Sequence, residues 1–385
     1  MTLAPFAVII FLKRTTNFSL RKKQDIFILL VALFFPLLNA YQIIDSHEKS
    51  VEFIRTYLLW VFNATAFWVI LRCVIIKKTD TVANGAFIAL TILTFFVMAQ
   101  AGLVYLSGST ILYNIFGGHQ YMGEVNIHKH YLGEINRAPG LYLEPSFCAF
   151  VIITLWTVCL ISSHRIIASS MLSMVAMIFI VSFSGVLAFA CLLALFLVMR
   201  DRYADKKLRN FSVFMAFSTL GLIVKFGDYL SGRALEIMIE GSSVYYRLVA
   251  PLVVIKDVLT NHPMGIAFGQ MESYLAPFEL IHGKIGGPGG SSIDNGVYLF
   301  LFYFGWLALI LLTVFIISML KAAISKKKNL SILLFYIFLS FGFSGGMLLP
   351  EYALLLIIVI YQYRIISQAV VLPNLRMHYN TTINS

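Results

Sequence analysis

Long apolar stretches separated by short charged segments dominate the chain. Many of them approach the roughly 20 apolar residues that an α-helix needs to cross the hydrocarbon core of a bilayer. We predict membrane-spanning helices at residues 25–44, 51–76, 84–106, 146–162, 166–182, 185–200, 211–226, 292–318, 330–343 and 351–366. The apolar residues 3–12 are too few to cross alone and form either a shortened span or an interfacial helix. The pattern therefore predicts an all-α, polytopic membrane protein with about 10–12 transmembrane helices.

The composition agrees with this class. The residues AVILMFWYC make up 59% of the chain and charged residues only 12%, against about 45–50% and about 25% in soluble domains. Too few polar side chains are available to cover a water-facing surface, which excludes a soluble enzyme and a disordered protein. We expect residues 1–385 to form a single transmembrane domain.

The net charge of +11 is a signal of topology. Most Lys and Arg residues lie in short blocks at alternate loops, as at residues 13–23, 72–78, 200–209 and 321–328. The positive-inside rule places these blocks in the cytoplasm. Because the basic residues follow the loops and form no single patch or stripe, we expect no nucleic-acid partner.

Two of the loops predicted to lie outside the cytoplasm are long. They cover residues 107–145 and residues 227–292, and the second is expected to contain short helices. Long loops in compact proteins are usually functional. Any chemistry is therefore expected on the side of the membrane that faces away from the cytoplasm.

The first candidate motif is Arg-Ala-Pro-Gly-Leu-Tyr-Leu-Glu-Pro-Ser at residues 137–146, directly before a predicted helix. One interpretation is a capped re-entry into the membrane, in which Pro145 opens the helix and Glu144 interacts with its dipole. In the other, Arg137 and Glu144 line a polar cavity at the outer membrane surface, since charges at that depth rarely face lipid.

The second candidate is a set of cations in the large loop, Arg233, Arg247 and Lys256. Arg247 lies in the apolar-rich stretch 243–260, which we predict to be helical. These cations either reach lipid phosphates from an interfacial helix or bind a diphosphate, because guanidinium offers planar, bidentate donors suited to phosphate.

The third candidate is Asn-His-Pro-Met-Gly-Ile-Ala-Phe-Gly at residues 261–269. Pro263, Gly265 and Gly269 favour a turn that ends the preceding helix, which alone explains them. His262 is also a candidate proton carrier, because the unperturbed pKa of histidine is roughly 6.5.

The fourth candidate is the glycine-rich stretch 283–296, which leads into the helix at residue 297. It is either a flexible linker with Asp294 or Asn295 as helix cap, or a mobile lid that holds Asp294 as a general base. No Gly-Lys-Ser/Thr follows the glycines, so we expect no ATP. We also expect no metal and no other cofactor.

These motifs together resemble the bacterial O-antigen and exopolysaccharide repeat-unit polymerases of the Wzy type. The resemblance rests on Arg-x-x-Gly…Glu-Pro-Ser at residues 137–146, Ser-x-Ser-Gly at 182–185, a loop arginine, His-Pro-x-Gly-x-x-x-Gly at 262–269, and a polar pair that opens the helix containing Phe304-Gly305. O-antigen ligases share the last arrangement, but they and many relatives carry a histidine where this chain has Asp294, which argues against a ligase.

The resemblance implies a membrane glycosyltransferase of the C type in the bacterial inner membrane, with its active site facing the periplasm. The implied donor and acceptor are undecaprenyl-diphosphate-linked oligosaccharides, and further partners are membrane lipid and a chain-length regulator protein. Carried over by position, Arg137, Arg233 and Arg247 are expected to bind diphosphate, and Asp294, Glu144 and His262 are candidate catalytic groups. Two alternatives are an O-antigen ligase that uses lipid A–core as acceptor and a flippase or transporter of lipid-linked oligosaccharide.

Overall fold

The computed structural model describes residues 30, 33–43, 47–73, 80–108, 111–113, 138–142, 145–199, 206–225, 227–239, 243–278, 293, 295–341, 354–363 and 366. Over these residues the chain is helical and contains no strand. It divides into two compact units. The first unit comprises Met1–Ile75, Leu230–Met319 and Phe338–Ile357, and the second comprises Ile76–Tyr229, Leu320–Ile337 and Ile358–Ser385.

The α-helices, numbered in chain order, are α1 (His47–Cys73), α2 (Asp80–Ser107), α3 (Pro145–Ser162), α4 (Ile166–Ile180), α5 (Phe183–Val198), α6 (Lys206–Lys225), α7 (Gly227–Leu235), α8 (Ser243–Leu248), α9 (Ala250–Asn261), α10 (Met271–Leu275), α11 (Gly296–Ile324), α12 (Lys328–Phe341) and α13 (Leu354–Tyr363). Short 3₁₀ helices cover Phe35–Ile43, Ile111–Tyr113 and Glu236–Met238.

Among the described residues, three helices are long and apolar enough to cross a membrane, namely Thr81–Ser107, Pro145–Ser162 and Gly296–Ile324. Shorter apolar helices cover Ile166–Ile180, Phe183–Val198, Lys328–Phe341 and Leu354–Tyr363. These helices support a helical membrane protein. Within the span predicted at 25–44, residues Phe35–Ile43 form a 3₁₀ helix that contains Pro36, which has no N–H with which to continue a preceding α-helix. Residues 3–12 lie outside the described residues.

Helix α3 is the centre of the second unit. It packs against α2, α4 and α5, and 83% of its residues are buried. The indole of Trp156 donates to the hydroxyl of Ser170 at 3.0 Å, and the hydroxyls of Thr154 and Tyr336 lie 2.7 Å apart. A Cβ at Gly185 on α5 would lie 2.5 Å from the Cβ of Ala149. The small residue at position 185 is therefore required by the close approach of α5 to α3.

The stretch 243–260, which the pattern predicts as one helix, is two helices, α8 and α9, that meet at Val249. Pro251 explains the division. A proline ring clashes with the carbonyl four residues earlier, so a helix through Arg247 cannot continue past position 251. Within the first turn of a new helix the same proline is well tolerated, and Pro251 lies in the first turn of α9.

Candidate functional site

In the first unit, the turn at residues 263–266 is inserted into a break in helix α11. The break is at Gly305, whose φ of 51° and ψ of −131° are not helical. In an uninterrupted helix the N–H of Trp306 would donate to the carbonyl of Phe302. Here Trp306 N donates to Pro263 O at 2.9 Å, and Phe302 O accepts from Ile266 N at 2.9 Å. The turn thus satisfies both backbone groups that the break releases, as a span within lipid requires.

Glycine is needed on both sides of this contact. Gly265 has a φ of +88°, and a Cβ there would lie 2.3 Å from the carbonyl oxygen of Tyr303. A Cβ at Gly305 would lie 2.2 Å from the carbonyl oxygen of Pro263. At Gly269, with a φ of +79°, a Cβ would meet the backbone of Glu52 at 2.5 Å. These glycines therefore let the turn lie directly against two other backbones.

Two amides of the 3₁₀ helix Phe35–Ile43 hold the other side of the turn. Asn39 Nδ2 donates to Met264 O at 2.8 Å. Gln42 Nε2 donates to Gly265 O at 3.2 Å, and Gln42 Oε1 accepts from Ala267 N at 2.9 Å. The turn that follows His262 is consequently fixed from two directions.

His262 lies between this turn and α9. Its backbone N–H donates to Val258 O at 2.8 Å, and its carbonyl accepts from Gly265 N at 2.7 Å. The half-buried imidazole contacts the ring of Tyr274 with 5.5 Å between ring centroids and an interplanar angle of 80°. The hydroxyl of Tyr274 donates to Asp257 Oδ2, and burial, followed by this hydrogen bond and the charge of Asp257, raises the pKa of Tyr274.

Arg247 belongs to the same unit, in the last turn of α8, and is partly exposed. A cation in this position interacts favourably with the helix dipole. The backbone beside it is fixed, because the hydroxyl of Tyr298 on α11 donates to Leu248 O at 2.9 Å.

In the second unit, the described residues that follow Arg137, residues 138–142, form a turn whose first three residues are buried. The amide of Gln100 on α2 binds Gly140 twice, through Nε2 to the carbonyl at 2.7 Å and through Oε1 from the N–H at 2.8 Å. Ala138 N donates to Phe179 O at 3.0 Å. Burial and the neighbouring Cys148 raise the pKa of Tyr142 to about 12, so its hydroxyl keeps its proton.

The family model described as WcaD colanic acid polymerase matches residues 1–365. The chain belongs to this colanic acid polymerase family. The match confirms the resemblance to repeat-unit polymerases that the motifs indicate.

A curated relative from Escherichia coli (strain K12), named "Putative colanic acid polymerase", is 32% identical over 229 residues. The aligned segment covers 57% of this chain and 55% of that relative, so the chain spans about half the length of the curated protein it matches. No solved structure matches the chain.

Of the residues predicted for polymerase chemistry, Arg247, His262, Gly265 and Gly269 lie in one unit of the structure. Arg137, Glu144 and Asp294 lie outside the described residues, as does the side chain of Arg233 on α7. The neighbour of Asp294 is described, and Asn295 Oδ1 accepts from Val297 N at 3.0 Å. Asn295 therefore caps α11, and Asp294 is not needed for that purpose.

The sequence motifs did not identify four residues that hold the candidate site residues or the turns beside them, namely Gln100, Asn39, Asp257 and Tyr274. Gln100 could have been found, because an amide in the middle of the apolar run 84–106 must have a buried partner. Asn39 could have been found in the same way within the run 25–44. Asp257 and Tyr274 belong to different helices, and nothing in their spacing predicts their contact.

Proposed function

We propose that this protein joins lipid-linked oligosaccharide repeat units into an exopolysaccharide at the periplasmic face of the bacterial inner membrane. The observation that carries the proposal is the family match across residues 1–365. The turn that follows His262 supports the proposal, because its hydrogen bonds give the histidine a defined position in a helical membrane protein.

The donor in this proposal is an undecaprenyl-diphosphate-linked oligosaccharide, and the acceptor is a hydroxyl of a second lipid-linked repeat unit. The acceptor oxygen forms a bond to the anomeric carbon and gives its proton to a general base. The bond between that carbon and the diphosphate oxygen breaks, and the diphosphate leaves with the electron pair. Because diphosphate is already a good leaving group, the main requirement is cations that stabilise its developing charge.

Arginine is suited to this task. We propose that Arg247, whose position in the structure is described, binds the diphosphate. Arg137 and Arg233 are further candidates from the sequence. The candidate bases are Asp294, Glu144 and His262. For Asp294, the capping of α11 by Asn295 supports a chemical role, since it removes the capping explanation.

The exposed side of the large loop supports a location at the membrane surface. On α9, Leu252 and Val253 are 50% and 48% exposed, and Trp306 on α11 is 49% exposed. The indole of Trp306 donates to Leu259 O at 3.0 Å. Exposed apolar side chains and a tryptophan whose polar end is hydrogen-bonded are both typical of a membrane interface, where a lipid-linked diphosphate would also lie.

A transporter is a second candidate, because transporters often contain discontinuous membrane helices and α11 is interrupted at Gly305. In transporters the released backbone groups face substrate or ions. Here Phe302 O and Trp306 N both bind the turn at residues 263–266. The backbone groups released by the break thus bind the loop and not a substrate or ion, which favours the enzyme over a transporter.

Deletion of the gene, followed by gel display of surface polysaccharide, tests the proposal. A polymerase deletion should leave single repeat units on the surface, and complementation should restore long chains. Complete loss of surface glycan would instead indicate an O-antigen ligase or a flippase. If a chain-length regulator is a partner, its deletion should change only the length distribution.

A further inference from the structure

Three side chains of the large loop form a connected group. Asp257 lies on α9, His262 follows the end of α9, and Tyr274 lies on α10. The hydroxyl of Tyr274 donates to the carboxylate of Asp257, and its ring makes a T-shaped contact with the imidazole of His262. Tyr274 therefore connects a carboxylate to a candidate base, although Asp257 and His262 themselves share no hydrogen bond among the described residues.

The ring of Tyr274 is held by its surroundings. Besides His262, it contacts Phe278 at 5.9 Å and Phe302 of α11 at 5.5 Å between centroids. Its backbone N–H donates to Gln270 O at 3.0 Å. With the hydroxyl fixed on Asp257 as well, the ring has little freedom to rotate or shift.

The helix dipole does not explain the position of Asp257 on α9. It lies one turn before the C-terminal end of α9, where a negative charge gains nothing from the helix dipole. Asn261 Nδ2 donates to Asp257 Oδ1 at 2.6 Å, while Tyr274 binds Oδ2. Both carboxylate oxygens are thus occupied, and the carboxylate is oriented toward the tyrosine.

His262 combines a fixed backbone with ring nitrogens that bond to none of the described residues. Hydrogen bonds at its N–H and carbonyl fix the backbone, and Tyr274 limits the orientation of the ring. The side chain is half-buried, and within the described part of the chain its ring nitrogens make no hydrogen bond. A ligand can therefore bind them without displacing a described partner.

We propose that Tyr274, anchored by Asp257, is a positioning residue that fixes the imidazole of His262 for proton transfer from the acceptor hydroxyl. The inference rests on the proposed function and assigns the base within it. The proton of the acceptor hydroxyl passes to a ring nitrogen of His262, the acceptor oxygen bonds to the anomeric carbon, and the diphosphate leaves with the electrons of the broken bond. Tyr274 keeps its own proton throughout, in its hydrogen bond to Asp257.

The test measures kcat and KM of purified full-length variants with lipid-linked repeat units as substrate. Tyr274→Phe keeps the ring but loses the bond to Asp257, and Asp257→Asn weakens the same bond. Because small displacements of a catalytic group cost up to about 100-fold in rate, each variant should lose about 10-fold to 100-fold in kcat with KM nearly unchanged. Matched controls are Tyr57→Phe, which also removes a tyrosine hydrogen bond, to Leu33 O, and Glu272→Gln, which neutralises an exposed acid on α10. Both controls should keep the wild-type kcat.

Combination with His262→Ala separates positioning from a general structural role. His262→Ala alone should lower kcat by about 10²-fold to 10⁴-fold, the usual contribution of a general base. Tyr274→Phe should lower it no further in that background. Wild-type kcat in Tyr274→Phe and Asp257→Asn, or the same loss with and without His262, would overturn the inference and leave the polymerase proposal intact. No elongation by the wild-type protein would overturn the polymerase proposal and the inference with it.

Discussion

Arg247 is the residue on which the proposed diphosphate site depends most. Its position at the end of α8 is also explained by the helix dipole alone, and lysine would satisfy the dipole equally well. Lysine cannot reproduce the bidentate geometry of guanidinium on phosphate. The two roles therefore respond differently to one conservative substitution.

We predict that Arg247→Lys lowers polymerisation about 10²-fold to 10³-fold at normal protein level, the usual cost of losing one donor aimed at developing charge. The control is Arg55→Lys, since Arg55 forms a surface ion pair with Glu52 at 3.7 Å that lysine can also make. The measurement is the length distribution of surface polysaccharide on gels. A wild-type distribution in Arg247→Lys would remove Arg247 from the diphosphate site.

Asp294 gives a second contrast at the level of single residues. Because Asn295 already caps α11, and asparagine caps about as well as aspartate, Asp294→Asn should leave the stability of the protein unchanged. With His262 assigned as the base, the Asp294→Asn variant should also remain active. A fall in rate of about 10²-fold or more would instead assign the base to Asp294.

At the scale of elements, the break in α11 and the turn at residues 263–266 form one structure. The contact places the backbone carbonyl of Pro263 where a side chain at position 305 would begin. Neither the helix nor the turn can adopt this conformation with a larger residue at its glycine, so the position of His262 depends on Gly265 and Gly305 together.

We predict that Gly305→Ala destabilises the protein by at least about 1–3 kcal/mol, the usual cost of a residue in a disfavoured backbone region, and lowers its melting temperature in detergent. Gly102→Ala on α2 is the control, because a Cβ there meets nothing within 4 Å. Alanine is favoured over glycine in helices by about 1 kcal/mol, so this control should be as stable as the wild type or slightly more stable. Equal melting temperatures of the two variants would show that the contact between the turn at residues 263–266 and Gly305 does not contribute to stability.

Elements of this fold differ in how well the sequence predicts them. The apolar run 146–162 predicts α3 within one residue at its start, because a long apolar run has few other solutions in a membrane. The break at Gly305 is not predicted, since it lies inside an equally apolar run and depends on a turn distant in sequence. The division at Val249 could have been predicted from Pro251.

The candidate site shows the same difference. The turn at residues 262–269 follows from its proline and glycines, and the structure contains it. The contact between Asp257 and Tyr274 depends on how α9 and α10 pack, which no local pattern records. Sequence motifs thus identify the candidate base His262, whereas packing identifies the residues that hold it.

At the scale of the whole molecule, the proposal requires both long loops to face the periplasm. Reporter fusions at Lys207 and Lys327 should indicate the cytoplasm, because basic blocks remain inside, and fusions at Gly241 and Gly287 should indicate the periplasm. A cytoplasmic signal at Gly287 would place the large loop, with Arg247 and His262, on the wrong side for the proposed reaction.

The central claim is that this single chain polymerises lipid-linked repeat units without a nucleotide sugar. The most direct measurement is elongation by the purified protein in detergent or lipid, with lipid-linked repeat units as the only sugar source and chelator in excess. We predict a ladder of products spaced by one repeat unit, because the donor diphosphate is the leaving group and arginines stabilise its charge. Absence of a ladder from folded protein, or a ladder that appears only when a nucleotide sugar or a divalent ion is added, would contradict the account.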